Sequence, residues 1–386
     1  MRELVLLFLA FVAVTQAQAP VQCVQSAYPP DPKTKVPWYT INLDLPPEER
    51  WKEVAQNRGT QIRNLLNEFK KFVLDWGSFA DKVIAFVDSD LGSLDKTLPY
   101  PFAGELQGMS KYSGLNLGEV VLFNIFYEFF TVCTSIVAED PNGNFVHARN
   151  LDFGLFIGWD VRNKTWQVTE ALRPLVINLD FQRGGKTVFK SVNFAGYVGI
   201  LTGLRPSLFS LSMNERFNLD GGYIGILKWL TGDRSERWMG FLTRSVMENA
   251  TSYEDAKSQL ANTTMLAPAY YILGGVQSGQ AAIITRAREN ALDIWEMSTI
   301  KEHPWYVLQT NYDHWEKPLF LDDRRTPGNQ CMKNMTRQSV GFPAIFDVLS
   351  TEPVLNKLTA YTALMEVKTG KFESYIRYCK DPCFPW

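Results

Sequence analysis

The chain has 386 residues, a formal net charge of -2 at pH 7 and a hydrophobic fraction of 46%. This length suits one large domain or two ordinary ones, and the hydrophobic fraction is typical of a globular core. The near-balanced charge excludes a protein that holds nucleic acid through a strongly basic surface.

The first residues have the layout of a cleaved signal peptide. A basic Arg2 is followed by an apolar stretch over residues 4–14 and by small residues up to Ala17, which predicts a signal peptide over residues 1–17. No later segment has the ~20 uninterrupted apolar residues that a membrane helix needs. The sequence therefore predicts a secretory-pathway protein without a transmembrane segment.

Residues 46 to about 130 have a helical pattern. Pro46, Pro47 and the acids at 48–49 are typical of a helix start, and apolar residues then recur at spacings close to 3.6. A second helix is expected after residues 117–119. It is apolar nearly all round, so it should be buried.

The pattern changes to short β-branched runs after Cys133. Strands are predicted at 133–138, 145–149, 174–181, 187–194, 198–201, 209–213, 270–273, 281–285, 293–297 and 305–309, with a tight turn at 183–186 and helices at 237–248 and 252–260. This order predicts an α+β layered domain rather than an alternating parallel fold. The boundary at residue 133 is interpreted as a processing point inside one domain.

Five cysteines in an oxidising compartment leave one unpaired if the others form disulfides. Cys379 and Cys383 flank a turn-forming Asp-Pro pair and are expected to bridge locally, which leaves Cys23 and Cys331 as a long-range pair. Cys133 then remains free, and a free cysteine is often an inert buried thiol. Passage through a glycosylating compartment is also indicated by four sequons, at Asn163, Asn249, Asn262 and Asn334.

The turn signal at residues 140–144 predicts an antiparallel hairpin that places Cys133 opposite Leu151. Arg149, Asn150 and Asp152 should then lie beside the cysteine. An arginine lowers the pKa of a thiol and favours the thiolate, as in an activated nucleophile. A structural Arg/Asp pair beside a buried cysteine is an equally good interpretation of these residues alone.

Other catalytic machineries are poorly represented. The sequence has no Gly-x-Ser-x-Gly elbow, His-Glu-x-x-His motif or glycine-rich phosphate loop. Its three histidines are scattered, so we predict no metal site. His147 is in phase with Cys133 but about two pairs away, which disfavours it as the base. The alternative base is the cysteine's own α-amino group, which exists only if the chain is cut before Cys133.

Several motifs closely resemble the acid ceramidase family of N-terminal-nucleophile cysteine hydrolases. They lie at residues 36–44, 123–128, 133–140, 147–154, 214–217, 310–313 and 322–327. One position departs from the family pattern, with Ala148 where related chains often carry glycine. The resemblance implies a four-layer αββα sandwich and autocleavage between Val132 and Cys133. The products would be an α-subunit (18–132), mostly helical, and a β-subunit (133–386), joined by a disulfide.

The resemblance also implies roles for individual residues. It makes Cys133 the nucleophile, its freed amine the base, Arg149 and Asp152 their support, and Asn311 a donor to the oxyanion, with Glu215 and Arg324 completing the pocket. No cofactor is implied. Without the resemblance, Asn311 could equally cap a turn, residues 322–325 would be a solvated loop, and Glu215 with Arg216 would be a surface pair.

The expected reaction is lysosomal hydrolysis of ceramide to sphingosine and a fatty acid, with secretion as a second location. A long apolar channel is then required, and its candidates are the aromatic residues before Cys133 and residues 223–230. An anionic membrane surface and a lipid-presenting activator protein are the expected partners. The alternatives are an N-acylethanolamine-hydrolysing amidase and a secreted lipid-binding protein with an inert Cys133. The two fragments of the enzyme would part on reduction, whereas a binder would stay one chain.

Overall fold

The computed structural model describes residues 21–74, 98–126, 131–153, 158–216 and 237–383. The predicted signal peptide, the phenylalanines at 129–130 and the 223–230 stretch lie outside this part. Within it, the α-helices are α1 (Pro47–Arg50), α2 (Lys52–Leu74), α3 (Phe102–Ser113), α4 (Leu117–Phe126), α5 (Gln167–Leu172), α6 (Met239–Asn249), α7 (Tyr253–Asn262), α8 (Arg325–Met335) and α9 (Phe342–Ser350). None of these helices is long and apolar enough to cross a bilayer.

The strands form two large sheets and one small ribbon. They are β1 (Trp38–Asn42), β2 (Thr131–Glu139), β3 (Phe145–Phe153), β4 (Trp159–Asp160), β5 (Thr165–Trp166), β6 (Val176–Arg183), β7 (Lys186–Phe194), β8 (Thr202–Arg205), β9 (Phe209–Glu215), β10 (Ala269–Gly274), β11 (Ala281–Arg286), β12 (Ala291–Glu296), β13 (Tyr306–Gln309), β14 (Thr359–Glu366) and β15 (Lys371–Ile376). One sheet has the order β1-β6-β7-β8-β9-β10-β11-β12, and the other has the order β13-β2-β3-β14-β15.

The two sheets stack face to face and helices cover their outer faces. On the five-stranded sheet, Ile136 and Ala148 pack against α8 and α9 through Met332, Ile345 and Phe346. The eight-stranded sheet packs against the other helices in the largest core cluster. Each sheet therefore buries both faces. Successive side chains of β2 and β3 point to opposite faces, so one set lies between the sheets and the other lies under the helices. This is the predicted four-layer αββα arrangement.

The predicted hairpin register is confirmed. The Asp140 amide donates to the Asn144 carbonyl at 2.9 Å and closes the turn, where Gly143 adopts a φ of +78°. Counting outward, Cys133 pairs with Leu151. The turn residues and the strand alternation were therefore enough to fix which residues face each other.

The segment before Cys133 is part of the same core as the segment after it. β1 pairs in parallel with β6, and Cys23 is bonded to Cys331, as predicted. That the two fragments part on reduction stays a prediction, and strand pairing and buried helices also join the two halves of this chain. The second predicted disulfide, Cys379 to Cys383, is also present.

One predicted strand is displaced along the chain. Residues 198–201 are not a strand, and β8 begins at Thr202. The Val198 amide donates to the Asn124 side chain at 2.8 Å, and the Ile200 amide donates to the Gly240 carbonyl at 3.0 Å. These contacts to α4 and α6 take the amides that a strand would have offered to a neighbour.

Candidate active site

Cys133 lies on β2 between the two sheets. Its thiol is the one free cysteine in the described part of the chain, and it is fully buried. The Arg149 guanidinium donates to its Sγ through Nη2. Through Nη1, the same guanidinium also donates to the Leu201 carbonyl at 2.8 Å and to Thr202 Oγ1 at 3.0 Å. The eight-stranded sheet thus fixes Arg149, and Arg149 holds the sulfur.

The expected acidic thiol is not found in this uncut chain. Burial raises the pKa of the Cys133 thiol from 9.0 to about 11, and the positive charge of Arg149 opposes this rise without cancelling it. The prediction from the sequence considered the arginine but not the burial, which removes the water that would stabilise a thiolate. In this state the sulfur is held in place but is not activated by ionisation.

Asp152 lies across the hairpin from Val132, the residue before the cysteine. Because strand side chains alternate, its carboxylate is on the opposite face of the sheet from the Cys133 sulfur. It accepts a hydrogen bond from Asn356 Nδ2 at 3.2 Å and lies 3.7 Å from Arg324 Nη1. Burial raises its pKa to about 6, although Arg324 acts in the opposite direction.

Asn150 lies beside the cysteine in the hairpin, as predicted, but its side chain shares this outer face and points away from the sulfur. Its Nδ2 donates to the carbonyls of Leu349 and Val354 at 2.8 and 3.0 Å. The hairpin register was right, but it brings Arg149 and Asp152 to opposite sides of the Cys133 backbone.

Asn311 and Arg324 bind the backbone of the cysteine. The Cys133 amide donates to Asn311 Oδ1 at 2.9 Å, and Arg324 Nη1 donates to the Cys133 carbonyl at 2.6 Å. Arg324 Nη2 also donates to Asn311 Oδ1 at 2.9 Å. These two residues lie far from Cys133 in sequence, and the fold brings them to the bond that follows Val132.

In the uncut chain, the Asn311 side-chain amide already donates a hydrogen bond at this site. Its Nδ2 donates to the Glu215 carbonyl at 2.7 Å, so this N–H could donate to an oxyanion only if that contact breaks. Glu215 itself is only 7% exposed. Its carboxylate raises the pKa of the Cys133 thiol, after the larger effects of burial and of the charges of Arg149, Asp152 and Arg324.

The charged residues around this site are buried or half-buried rather than solvated. Arg324 is 1% exposed, and it pairs with Asp322, Nε to Oδ1, at 2.8 Å. Arg216 is bound to Asp313 at 2.5 Å and is not a surface partner of Glu215. The simple interpretation of both sequence pairs as solvent-exposed is therefore wrong.

His147 is occupied by structural contacts. Its Nδ1 lies 2.9 Å from Ser210 Oγ and its Nε2 lies 2.9 Å from Ser212 Oγ. Burial, together with the positive charge of Arg149, lowers the pKa of this histidine from 6.5 to about 3. With both ring nitrogens engaged, His147 has no route to the sulfur, in agreement with its low rank as a base.

Comparison with known proteins identifies the chain. Residues 133–380 match the family model of linear amide C–N hydrolases of the choloylglycine hydrolase family, and residues 34–98 match the beta subunit of N-acylethanolamine-hydrolyzing acid amidase. Acid ceramidases of Pan troglodytes and Homo sapiens are each 51% identical over 99% of this chain and 98% of theirs. The chain belongs to the acid ceramidase family.

A solved structure supports the same fold. An N-acylethanolamine-hydrolyzing acid amidase ortholog from Caenorhabditis elegans is 30% identical, covers 64% of this chain and 100% of its own, and has a TM-score of 0.54. This member of the acid ceramidase family is an N-terminal-nucleophile hydrolase. All six site residues implied by the resemblance lie in its described part and surround the Val132–Cys133 junction.

In this acid ceramidase family member, two residues that contact the site were not predicted from the sequence. Asn356 holds Asp152, and Asp322 holds Arg324. Asp322 is part of the charged run at 322–325, so the run itself was a signal. Asn356 follows a turn with no local pattern that points to catalysis, and only tertiary structure places it.

The described residues contain one group with metal-ligand spacing. It consists of Glu352, Cys379 and Cys383. The two sulfurs are bonded to each other, so neither is the thiolate that a metal would bind.

Proposed function

We propose that this protein hydrolyses the amide bond of ceramide after it cuts its own chain between Val132 and Cys133. The observation that carries the proposal is the convergence of Arg149, Asn311 and Arg324 on Cys133 in a chain 51% identical to acid ceramidases. These residues bind the sulfur, the amide and the carbonyl of one cysteine. An inert cysteine in a lipid-binding protein would need none of these contacts.

Cleavage would turn Cys133 into a new amino terminus. The family model begins at this residue, which supports a division into a signal peptide (1–17), an α-subunit (18–132) and a β-subunit (133–386). The uncut chain buries the sulfur completely, so substrate has no access to it before cleavage. The new amine would have a pKa near ~8, well suited to proton transfer.

The cleavage step transfers an acyl group from nitrogen to sulfur. The Cys133 sulfur attacks the Val132 carbonyl, its proton goes to the Cys133 nitrogen, and the C–N bond breaks to leave a thioester. Water then opens the thioester to give a Val132 carboxylate and the free thiol. Asn311 Oδ1, which accepts from the Cys133 amide in the uncut chain, keeps the new amine in place.

Ceramide hydrolysis repeats this chemistry on a second amide. The Cys133 amine takes the thiol proton, the sulfur attacks the amide carbonyl, and the amine returns the proton to the departing sphingoid nitrogen. Water releases the fatty acid from the thioester and restores the thiol. Arg149 stabilises the sulfur anion, Asp152 supports the ammonium form, and Arg324 and Glu215 complete the polar end of the pocket. We propose Asn311 as an oxyanion donor once cleavage frees its amide.

An exposed apolar loop next to the site supports a lipid substrate. Trp315, Leu319, Phe320 and Leu321 are 52, 68, 59 and 61% exposed. They end beside Asp322, which binds Arg324. Such a patch is typical of a membrane-binding surface. We therefore propose that this loop contacts an anionic membrane surface, with a lipid-presenting activator protein assisting.

Location in the lysosome, with partial secretion, completes the proposal. All four sequon asparagines are exposed, so each is accessible to glycosylation. The two disulfides suit an oxidising route.

N-acylethanolamine hydrolysis is the second candidate. It is favoured by the match of residues 34–98 to an amidase of that specificity. Parallel turnover of ceramide and an N-acylethanolamine by one preparation decides between them. Faster turnover of the ethanolamide, as kcat/KM, would overturn the ceramide assignment.

Amino-terminal sequencing after acid incubation tests the cleavage. The wild-type protein should yield a fragment that begins at Cys133 and should then release sphingosine from ceramide, whereas a Cys133→Ala variant should do neither. Ceramide turnover by an uncut wild-type chain, or by the alanine variant, would overturn the proposal.

Vesicle binding tests the apolar loop. A Leu319→Ser, Phe320→Ser double variant should sediment less with phosphatidylserine vesicles and should show a higher KM for vesicle-borne ceramide. A Val161→Ser variant is the control, because Val161 is 77% exposed but lies elsewhere. Equal losses in both variants would contradict a specific role for the loop.

A further inference from the structure

Asn214 lies one residue before Glu215 on β9 and is fully buried. Its Oδ1 accepts a hydrogen bond from Ser135 Oγ at 2.9 Å. Its Nδ2 donates to the Gln309 carbonyl at 3.1 Å and to the Thr310 carbonyl at 3.0 Å. One amide therefore connects the nucleophile's strand, β9 and the two residues that immediately precede Asn311.

Ser135 is itself held by a chain of hydrogen bonds between the sheets. Ser212 Oγ donates to Ser135 Oγ at 2.9 Å, and His147 lies 2.9 Å from Ser212 Oγ. Burial lowers the pKa of His147 to about 3, so the histidine stays neutral at moderately acidic pH. The chain consequently keeps its hydrogen bonds without gaining a charge.

The side chain of Asn311 makes three hydrogen bonds at the site. Its Oδ1 accepts hydrogen bonds from the Cys133 amide and from Arg324 Nη2, and its Nδ2 donates to the Glu215 carbonyl. A side chain with three such contacts is correctly placed only if its backbone is fixed. A displacement of ~1 Å in a catalytic group can lower a rate by ~100-fold.

We propose that Asn214 is a positioning residue that holds residues 309–310 so that Asn311 meets the Cys133 nitrogen. The inference rests on the proposed function, and it adds a residue that acts only through Asn311. The reason for an asparagine is chemical, since this position needs one acceptor for a hydroxyl and two donors for carbonyls. No other side chain of this size except its homologue glutamine offers both.

Replacement of Asn214 by Asp gives a readout that a general loss of stability would not produce. An ionised carboxylate would face two carbonyl oxygens and repel them, whereas a protonated one could donate to one of them. We expect kcat of the Asn214→Asp variant, relative to wild type, to be ~100-fold lower near neutral pH. It should recover as the pH falls, with KM little changed. Asn214→Ala should lose a similar factor at every pH.

Asn178 provides the matched control, on β6 beside the edge strand β1 and against the edge strand β15 of the other sheet. It is 2% exposed, its Oδ1 accepts from Ser374 Oγ at 2.6 Å, and its Nδ2 donates to the Val36 carbonyl at 3.2 Å. Asn178→Asp should lower the melting temperature but leave kcat of the folded enzyme and its pH profile unchanged. It therefore separates the cost of a buried charge from a specific effect on the site.

Three measurements on each purified variant decide the inference, namely the melting temperature, the rate of cleavage before Cys133, and kcat and KM against pH. Slower cleavage and acid-restored kcat in Asn214→Asp, absent in Asn178→Asp, would support it. If the Asn214 variants match the Asn178 variant in kcat, the positioning role is wrong while the enzyme assignment stands. If wild type itself neither cuts nor hydrolyses ceramide, the proposed function fails instead.

Discussion

Two clusters of buried charged side chains lie on opposite faces of the eight-stranded sheet, one around Glu105 and one around Cys133. In the first cluster, Glu105 Oε1 accepts from Arg50 Nη1 at 3.0 Å and from Arg244 Nη2 at 2.6 Å. Its Oε2 accepts from Trp51 Nε1 at 2.7 Å and from Arg244 Nη1. Arg244 binds a second carboxylate, Glu248, at 2.8 Å. Both carboxylate oxygens of Glu105 are thus saturated.

In the Cys133 cluster, positive and negative charges are less closely paired. Arg149 hydrogen-bonds to a thiol, a hydroxyl and a carbonyl rather than to a carboxylate. Asp152 lies 3.7 Å from Arg324, longer than a hydrogen bond. Burial raises the pKa of Asp152 to about 6 and that of Cys133 to about 11.

The contrast separates charges that stabilise the fold from charges that serve chemistry. Burial alone would lower the pKa of Arg244, but Glu105 and Glu248 outweigh it and raise the pKa. The Arg244 guanidinium therefore stays charged. Groups whose pKa values are displaced by burial can change protonation during a reaction, which is why such groups concentrate at active sites.

Removal of the Glu105 charge should have the largest effect on stability. A Glu105→Gln variant leaves Arg244 buried beside a neutral amide, and breaking a buried pair costs ~3–5 kcal/mol of unfolding free energy. Urea unfolding of the uncut Cys133→Ala protein measures this cost. The cluster joins the two predicted subunits, because Glu105 precedes Val132 and Arg244 follows it. The cut form should therefore dissociate more readily as well.

A surface pair serves as the control for that experiment. Lys111 and Glu49 are 62% and 35% exposed and lie 3.3 Å apart, so Lys111→Ala should leave the unfolding curve unchanged. An equally small change in Glu105→Gln would show that the buried cluster is not what holds the subunits together.

Replacement of Arg149 should lower activity much more than stability, the opposite of what is expected for Glu105. An Arg149→Met variant loses the cation at the sulfur, and kcat should fall ~10²–10³-fold, as on removal of one preorganised donor. Stability should change less, because the loss of the hydrogen bonds to Leu201 and Thr202 is offset by the removal of a buried charge that no carboxylate balances. Kinetics and thermal melting of the same preparation measure both. A large fall in melting temperature would place Arg149 with the stabilising charges.

The sequence predicted the hairpin that carries Cys133, but it did not predict that Asn311 and Arg324 meet there. Residues 140–144 determine the turn, and alternation then fixes the partner of Cys133, both of which are local. Asn311 and Arg324 reach the same point from the end of β13 and the start of α8. Their sequence neighbours show only a short strand and a charged run, so nothing local indicates that they meet. The resemblance to a known family supplied them.

Some fold elements were missed for a similar reason. β1 is five residues long and is a strand because it pairs with β6. β14 and β15, which complete the five-stranded sheet, lie in a region that was not assigned. Short strands depend on tertiary pairing more than on propensity. The longer and more periodic elements, such as β6, β7 and α7, were predicted to within a few residues.

The smallest expected effect concerns how the Asp152 carboxyl links stability to pH. Its pKa is raised by burial from 3.8 to about 6 in the folded chain. A raised pKa means that the group stabilises the fold while protonated, below about pH 4, and that this contribution is lost as the pH rises through about 6. The unfolding free energy of the Cys133→Ala protein should therefore fall across this window, by less than ~3 kcal/mol, since one pKa unit is ~1.4 kcal/mol.

An added Asp152→Asn substitution should flatten that fall, because an amide cannot ionise. Asp255 gives a control of opposite sign. Hydrogen bonds from Gln259 and Thr251 lower the pKa of its exposed carboxyl, so its contribution is present at higher pH and is lost as the pH falls. Because that loss occurs below the ordinary pKa of 3.8, Asp255→Asn should leave the fall across pH 4 to 6 nearly unchanged. If Asp152→Asn leaves the slope unchanged, Asp152 is already ionised throughout this range, and its charge is balanced by Arg324 as fully as Glu105 is by Arg244.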